Sequence, residues 1–314
     1  MKILITGGAG FIGSHITEAL LKEGHKICVI DNYQTGRRDN LSAHDNLTIV
    51  EGTIADSELV NQVFTDFQPE KVLHAAASYK DPQNWTEDVD TNVLGTINIV
   101  KASKRVGVKR IVYFQTSLCY GLHPIEQPIT LNHPLYGGTS FGGSSYAISK
   151  TTGELYIELS GLDFVSFRLA NVYGPRNLSG PVPTFFRRLT NNESCVVVDT
   201  RRDFIFVYDM IEVVIKALKG CGKGYYHLST GKDYSIKELF DLVGKTLNIP
   251  FQNVEIKPRR PDDAPTILLD PSKAKKDFNW EAKTPIEVGI KIAIDWYKTH
   301  ALTETFTHLK DVHK

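Results

Sequence analysis

The 314-residue sequence predicts an α/β fold: a doubly wound parallel sheet with a smaller α/β lobe toward the C-terminal end. Three observations point there. Short apolar runs rich in Ile, Val and Phe alternate with longer amphipathic ones through the first half. The first run ends in a glycine-rich turn that opens directly into a helical pattern. After about Asn171 the rhythm breaks, and prolines and glycines cluster in YGPRNLSGPVP. Strand–helix alternation at this spacing argues for right-handed crossovers, which lay the strands parallel in one sheet.

The strand-like runs are KILIT (2–6), KICVI (26–30), LTIV (47–50), KVLHA (71–75), RIVYFQT (110–116) and FVSFRLA (164–170). Between the first two, GFIGSHITEALLKEG repeats Ile12, Ile16 and Ala19/Leu20 at helical spacing. DVDTNVLGTINIVKASKRVG is a longer helical pattern, with Val93, Ile97 and Val100 expected on one face. Farther on, SIKELFDLVGKTL and PIEVGIKIAIDWYKTH read as helices separated by longer loops, with PRRPDDAP as a stiff charged connector. The expected division is a first lobe over 1–170 and a second over 171–314, with elements crossing a soft boundary.

Bulk numbers exclude some partners. Lys+Arg and Asp+Glu both total 36, so the electrostatic drive for nucleic-acid binding is absent globally. Cys28, Cys119, Cys195 and Cys221 have no Cys-x-x-Cys spacing and read as core thiols in a reducing compartment; no metal site is expected. KILIT is too short for a signal-peptide core, and no run reaches the roughly 18 apolar residues of a membrane span. A soluble cytoplasmic protein with no membrane partner is the expectation.

The first strand runs into TGGAGFIG, with Gly7, Gly10 and Gly13 three apart. Such a turn bends tightly, lets backbone approach a pyrophosphate and packs helix against strand, while the helix N-terminus offers free N–H groups. The fold is therefore of Rossmann type. Asp31 ends the second strand 18 residues after Gly13. A carboxylate there accepts from both adenosine ribose hydroxyls and repels a 2′-phosphate, which favours NAD over NADP. Arg37 and Arg38 lie close downstream, where they either reach a 2′-phosphate or are solvated.

YAISK places Tyr146 and Lys150 at i and i+4 on one helix face. A phenol with its reference pKa of about 10 is a poor base, and a neighbouring ammonium favours phenolate. A hydroxyl source, Thr116-Ser117, ends the fifth strand, and ligands of such sheets bind at the strands' carboxyl ends.

TGGAGFIG, Asp31, HAAA (74–77), NVLGT (92–96), TSLCYG (116–121), YAISK, RLANVYGPR (168–176), RRDFIFVYD (201–209) and LLDPSKAKKDFNW (268–280) together resemble the extended short-chain dehydrogenases, specifically their nucleotide-sugar epimerases and dehydratases of bacterial polysaccharide and O-antigen pathways. The resemblance spans roughly residues 1–300. It implies Tyr146 as catalytic acid/base, Lys150 on the nicotinamide ribose lowering the Tyr146 pKa, and Thr116, four residues before Tyr120, as the active-site hydroxyl. It implies NAD held by Gly7, Gly10, Phe11, Ile12, Gly13, Asp31, Asn32, Ala75 and Ala76. It implies a nucleotide-sugar substrate, UDP-linked, met by Ser117, Asn171, Arg202, Arg260 and Asp263, and a homodimer in which each subunit contributes two helices. The activity implied is C4 epimerisation of a UDP-hexose, hexuronate or N-acetylhexosamine through a transient 4-keto sugar.

Dehydratases and decarboxylases share that oxidation, and a non-catalytic NAD sensor shares the fold. Dehydratase relatives carry acids where this chain has Ser117 and Leu118, and Leu118 cannot transfer a proton. Four departures from the family pattern stand out. Thr53 replaces the usual adenine-contacting Asp. The glycine-rich LYGGTSFGGSSY (135–146) precedes Tyr146 and reads as a mobile loop or a spacer. Asp262 replaces a glycine in the Arg260–Asp263 run. Ile267 stands at the sugar-pocket gate. Plainer roles are open for several residues: Arg202 paired with Asp199 or Asp203, Asn171 capping a loop, Asn92 bracing a strand, and His74 packed at a strand end.

Overall fold

The computed structural model describes residues 1–79, 81, 83–135, 144–250, 254–259, 263–300, 302 and 305–306. In chain order the first half gives β1 (Lys2–Thr6), α1 (Phe11–Lys22), β2 (Lys26–Asp31), β3 (Leu47–Glu51), α2 (Ser57–Phe67), β4 (Lys71–His74), α3 (Trp85–Asp88), a π-helical stretch (Val89–Gly95), α4 (Thr96–Val106), β5 (Arg110–Thr116), α5 (Ser145–Leu159) and β6 (Phe164–Leu169). The second half adds β7 (Asn171–Tyr173), α6 (Pro181–Thr190), β8 (Val197–Val198), β9 (Arg201–Phe206), α7 (Val207–Leu218), β10 (Gly224–Leu228), β11 (Asp233–Ser235), α8 (Ile236–Thr246), β12 (Ile256–Lys257), β13 (Thr266–Ile267), α9 (Ser272–Phe278) and α10 (Ile286–Thr299).

The main sheet has seven parallel strands in the order β10-β6-β5-β4-β1-β2-β3. All six expected strands are in it, each within a residue of its expected bounds. The seventh, β10, comes from beyond residue 171 and was not foreseen, because GYYHL is short and opens on glycine at φ +78°. Strands β1, β4, β5 and β6 are buried on both faces, as a sheet covered by helices on both sides requires. One apolar layer includes Ile3, Ile5, Ile16, Val112 and Phe167, together with Met210 and Val214 of α7. The opposite layer includes Leu4, Val72, Ile99, Ile111 and Tyr113. Elements from the second half thus complete the outer layer of the first sheet.

One expectation needs correcting. The 88–107 helix is not one regular helix with Val93, Ile97 and Val100 on its core face. The π-helical stretch rotates the side chains between α3 and α4, so Asn92, Thr96, Ile99 and Val100 turn inward while Val93 and Ile97 are only half-buried. Beyond the sheet, β7, β9, β11 and β13 form a small mixed sheet that packs with α6, α8 and α10 around Phe185, Phe204, Phe240 and Ile290. The order of the main sheet reverses at β1, flanked by β2 and β4, so a crevice opens at the carboxyl ends of these strands.

Candidate active site

The crevice is a single cleft of about 620 Å³, lined from the β1 turn to the small mixed sheet. At its floor Gly7 has φ +69°, and a Cβ there would lie 2.8 Å from the Ala76 backbone. A Cβ on Gly13 would lie 2.2 Å from the Gly7 carbonyl oxygen. No side chain fits at either position, so the backbone cradle predicted from the glycine spacing is present. Phe11, Ile12, Asn32, Ala75 and Ala76 line the same end.

Asp31 is buried at the end of β2, where its carboxylate accepts from the Ala9 and Tyr33 N–H groups at 2.8 and 2.9 Å. Burial raises its pKa, and the backbone N–H groups of Tyr33, Ala9 and Gly10 oppose that. Arg37 pairs with Asp39 at 2.5 Å, and Arg38 pairs with Glu51 at 2.6 Å while lying over the Tyr33 ring. Both guanidiniums are paired on the surface, and Asp31 is the buried charge at this end of the cleft. Asp31→Asn is expected to weaken NAD about tenfold and to raise the NADP-to-NAD preference, read by calorimetric titration with each. Thr53 lines the cleft, with its hydroxyl accepting from the Ala55 N–H at 3.2 Å.

The candidate catalytic pair, Tyr146 and Lys150, stands on α5, whose N-cap Ser144 accepts from the Ala147 N–H at 3.3 Å. Tyr146 is the second residue of this helix, where the positive end of the dipole favours an anionic phenolate. Yet the protein's own groups hold the phenol above its usual range: burial first, then Tyr79 and Asp88. Lys150 is 2% exposed, and burial pulls its ammonium down to about 7 against the opposing charge of Glu154. Burial dominates the phenol, and Lys150 is not among the groups that shift it here.

Thr116 ends β5 and caps the short turn that follows. Its Oγ accepts from the Leu118 N–H at 3.2 Å, leaving its own O–H to donate into the cleft. Ser117 and Leu118 also line the cleft. Tyr120 points the other way, fully buried, with its hydroxyl on His227 Nε2 at 2.6 Å and on Arg168 at 2.8 Å.

Two residues have the plainer of their expected roles. Asn92 bridges the Ser78 backbone in both directions and donates to Ser149 Oγ at 3.0 Å, which ties the π-helical stretch to α5. His74 is fully buried between the Thr6 and Thr96 hydroxyls at 2.7 and 2.9 Å. Burial, with Lys150 nearby, keeps it well below its ordinary range.

At the far end, Arg202 donates to the Ala264 carbonyl at 2.8 Å and makes a close ion pair with Asp263. The alternatives Asp199 and Asp203 are not its partners; Asp203 is instead held by Ser229 and Thr230. Asn171 faces the cleft from β7 with its amide donating to the Asp203 carbonyl at 3.3 Å, and Ile267 is a buried wall residue. Arg260, Asp262 and residues 136–143 of the glycine-rich segment lie outside the described residues.

Several groups escaped the sequence reading. Glu154 and Arg168 form a buried ion pair at 2.8 Å behind the catalytic helix. The signal was available, since Glu154 continues the i, i+4 series Tyr146–Lys150–Glu154. Asp88 lines the cleft beside Tyr146, 1% exposed, with both carboxyl oxygens enclosed. Burial raises its pKa, partly offset by the Ser145 and Ser78 hydroxyls. In TEDVDT it reads as one solvated acid among several. The Gln115 side-chain NH₂, also buried at the cleft, has no hydrogen-bond partner among the described residues.

Residues 3–229 match the model of the NAD dependent epimerase/dehydratase family. The chain belongs to this family. Among solved structures, that of the Bordetella bronchiseptica enzyme WbmH in complex with NAD+ is 51% identical, with a TM-score of 0.91 over 95% of this chain and 99% of that one. WbmG of the same organism, in complex with NAD and UDP, is 43% identical with a TM-score of 0.89, covering 98% and 97%. A UDP-glucose 4-epimerase of Halalkalibacterium halodurans is 30% identical over 96% of this chain and 96% of its own length. The family is NAD-dependent, and the glycine cradle and Asp31 fit that cofactor. Among the described residues no helix is long and apolar enough to cross a membrane.

Proposed function

We propose that the protein is an epimerase that inverts C4 of a UDP-hexose through a transient 4-keto sugar. The observation that supports this reading is that Thr116, Tyr146 and Lys150 line the same cleft as the glycine cradle, Arg202 and Asp263. NAD would supply the hydride acceptor and later the donor. Gly7, Gly10, Phe11, Ile12, Gly13, Asp31, Asn32, Ala75 and Ala76 would hold it, with Lys150 on the nicotinamide ribose. Tyr146 takes the C4 hydroxyl proton as hydride leaves and returns it to the same oxygen once the keto sugar has turned. Thr116 donates to that oxygen throughout. Ser117, Asn171, Arg202, Asp263 and Arg260 would meet the sugar and diphosphate.

Dehydration would need a further acid at the sugar. Leu118 stands where one is wanted, and the cleft carboxylates are committed elsewhere: Asp31 to backbone N–H groups, Asp81 to the Gln83 N–H, Asp263 to Arg202. Both Asp88 oxygens are enclosed in the wall. Incubation with a panel of NDP-sugars, followed by NMR of the anomeric protons, tests the proposal. A C4 epimer is expected; a persistent 4-keto-6-deoxy sugar or a pentose product would overturn it.

Residues 1–170 would supply cofactor and catalytic groups and 171–314 mainly the substrate lobe, in the cytoplasm. A homodimer through α5 and the neighbouring α3–α4 segment accounts for Ile148, Leu155 and Leu159, a stripe at helical spacing that ends with Leu159 79% exposed, and for Trp85 at 65%. The double variant Leu155→Glu, Leu159→Glu is expected to sediment as a folded monomer where the parent sediments as a dimer.

A further inference from the structure

Lys150 is an ammonium almost wholly inside the protein, yet its Nζ donates no hydrogen bond to any described residue. Its obvious counter-ion is Glu154, one turn along α5. That carboxylate is already taken: Oε2 accepts from Arg168 at 2.8 Å, and Oε1 accepts from Arg168 and Ser166. What lies against the ammonium instead is an aromatic face. Nζ sits 3.9 Å from the centroid of the Tyr113 ring, which is itself fully buried on β5. The Tyr113 hydroxyl donates to the Lys150 carbonyl at 2.9 Å, so both ends of the same residue are held by one side chain. His74 is tilted against the same ring, with ring centres 5.3 Å apart.

We propose that Tyr113 is a positioning residue for the reaction: its ring takes the place of a counter-anion, keeping the Lys150 ammonium charged and fixed with its N–H donors free for a ligand. This rests on the epimerase reading for Lys150's role. The physical basis is attraction between a cation and the negative face of a ring, which strengthens when water is excluded. An acid in that place would bind the ammonium directly and compete for its donors; a ring attracts the charge and accepts none of them in the same way. The other charged or titratable groups around this ammonium and its ring are Tyr146 and Glu154 on α5, His74 on β4 and Cys119 after β5, with Arg168 of β6 behind Glu154. Buried His74 is neutral, Arg168 is neutralised by Glu154, and burial keeps Cys119 and Tyr113 protonated. None of these replaces the ring.

The experiment compares Tyr113→Phe with Tyr113→Leu in the full chain. Phe keeps the face and loses the bond to the Lys150 carbonyl; Leu loses both. Two quantities are followed against pH: kcat/KM with the UDP-hexose, and the NAD dissociation constant. In the Leu variant the alkaline limb of kcat/KM is expected to move down by about one pH unit, with NAD binding weakened at pH 8.5 more than at pH 6.5. The Phe variant is expected to keep the wild-type limb. Equal profiles for the two variants, or a loss in the Leu variant that is the same at every pH, would overturn the proposal.

If the Leu variant does not fold, proton NMR of the wild type decides. Lys150 side-chain resonances, identified by their loss in Lys150→Met, are expected upfield from the ring current and to stay there in Tyr113→Phe. Unshifted resonances would overturn it. The NAD arm needs no sugar turnover, so failure of the epimerase reading is seen separately, as a wild type inactive on every UDP-hexose.

Discussion

Replacing Tyr146 by Phe is expected to lower kcat by about 10²–10⁴-fold while leaving the fold and NAD binding in place. The substitution removes one oxygen from the second residue of α5. The ring stays, with its edge contact to Tyr79 at 6.3 Å between centroids. In the proposed reaction the lost oxygen is the group that accepts and returns the C4 hydroxyl proton. Thr116 cannot take over, because an aliphatic hydroxyl is a far weaker acid than a phenol and its Oγ is occupied by the Leu118 N–H. Steady-state turnover of the parent's substrate, alongside far-UV circular dichroism and NAD titration, checks the result. Unchanged turnover would remove Tyr146 from the mechanism and favour a binding or sensing role for the cleft.

The pH dependence of the parent should reflect the same pair of groups. Burial with Tyr79 and Asp88 holds the phenol high, and burial pulls Lys150 down to about 7. The phenol must lose a proton and the ammonium must keep one, so without further charge the two requirements scarcely overlap. A bound nicotinamide cation, together with the α5 N-terminus, would lower the Tyr146 pKa and open that overlap. In the proposed reaction the cofactor charge would thus bring the phenol into its working range.

The cofactor end was legible because its chemistry is local. Three glycines in a short run, a strand before and a helix after, and an acid at the end of the next strand are all visible within about thirty residues. The β1 turn and Asp31 follow from backbone approach and one carboxylate. The substrate end is assembled from segments far apart in sequence, and there the reading named Arg202 and Asp263 without seeing that they pair across 61 residues. Local patterns also mislead where the helix period changes. The π-helical stretch moved Val93 and Ile97 off the core face and brought Asn92 in to brace Ser78 and Ser149. Strand β10 was missed for a related reason: a short strand at the sheet's edge needs only a few apolar residues, and its partner β6 supplies the rest.

Glu154→Ala is expected to be the most destabilising single change near the site, by about 3–5 kcal/mol, with a fall in Tm on the order of 10 °C by calorimetry. Glu154 is 1% exposed, and Arg168 is buried against it. Removing the carboxylate leaves a guanidinium inside the protein with the Tyr120 hydroxyl, at 2.8 Å, as its remaining hydrogen-bond partner among the described residues, and the Tyr225 ring at 4.5 Å, but with no counter-charge. Tyr120 is also held by His227 at 2.6 Å, so the strain passes from α5 through β6 to β10. Replacing both partners, Glu154→Leu with Arg168→Met, is expected to recover much of the loss, because two apolar side chains leave no uncompensated charge. The double variant is expected to keep the alkaline limb of the parent, since the paired charges leave together while the ring of Tyr113 stays against Lys150. A double variant as unstable as Glu154→Ala would mean that packing volume, and not the buried charge, sets the cost.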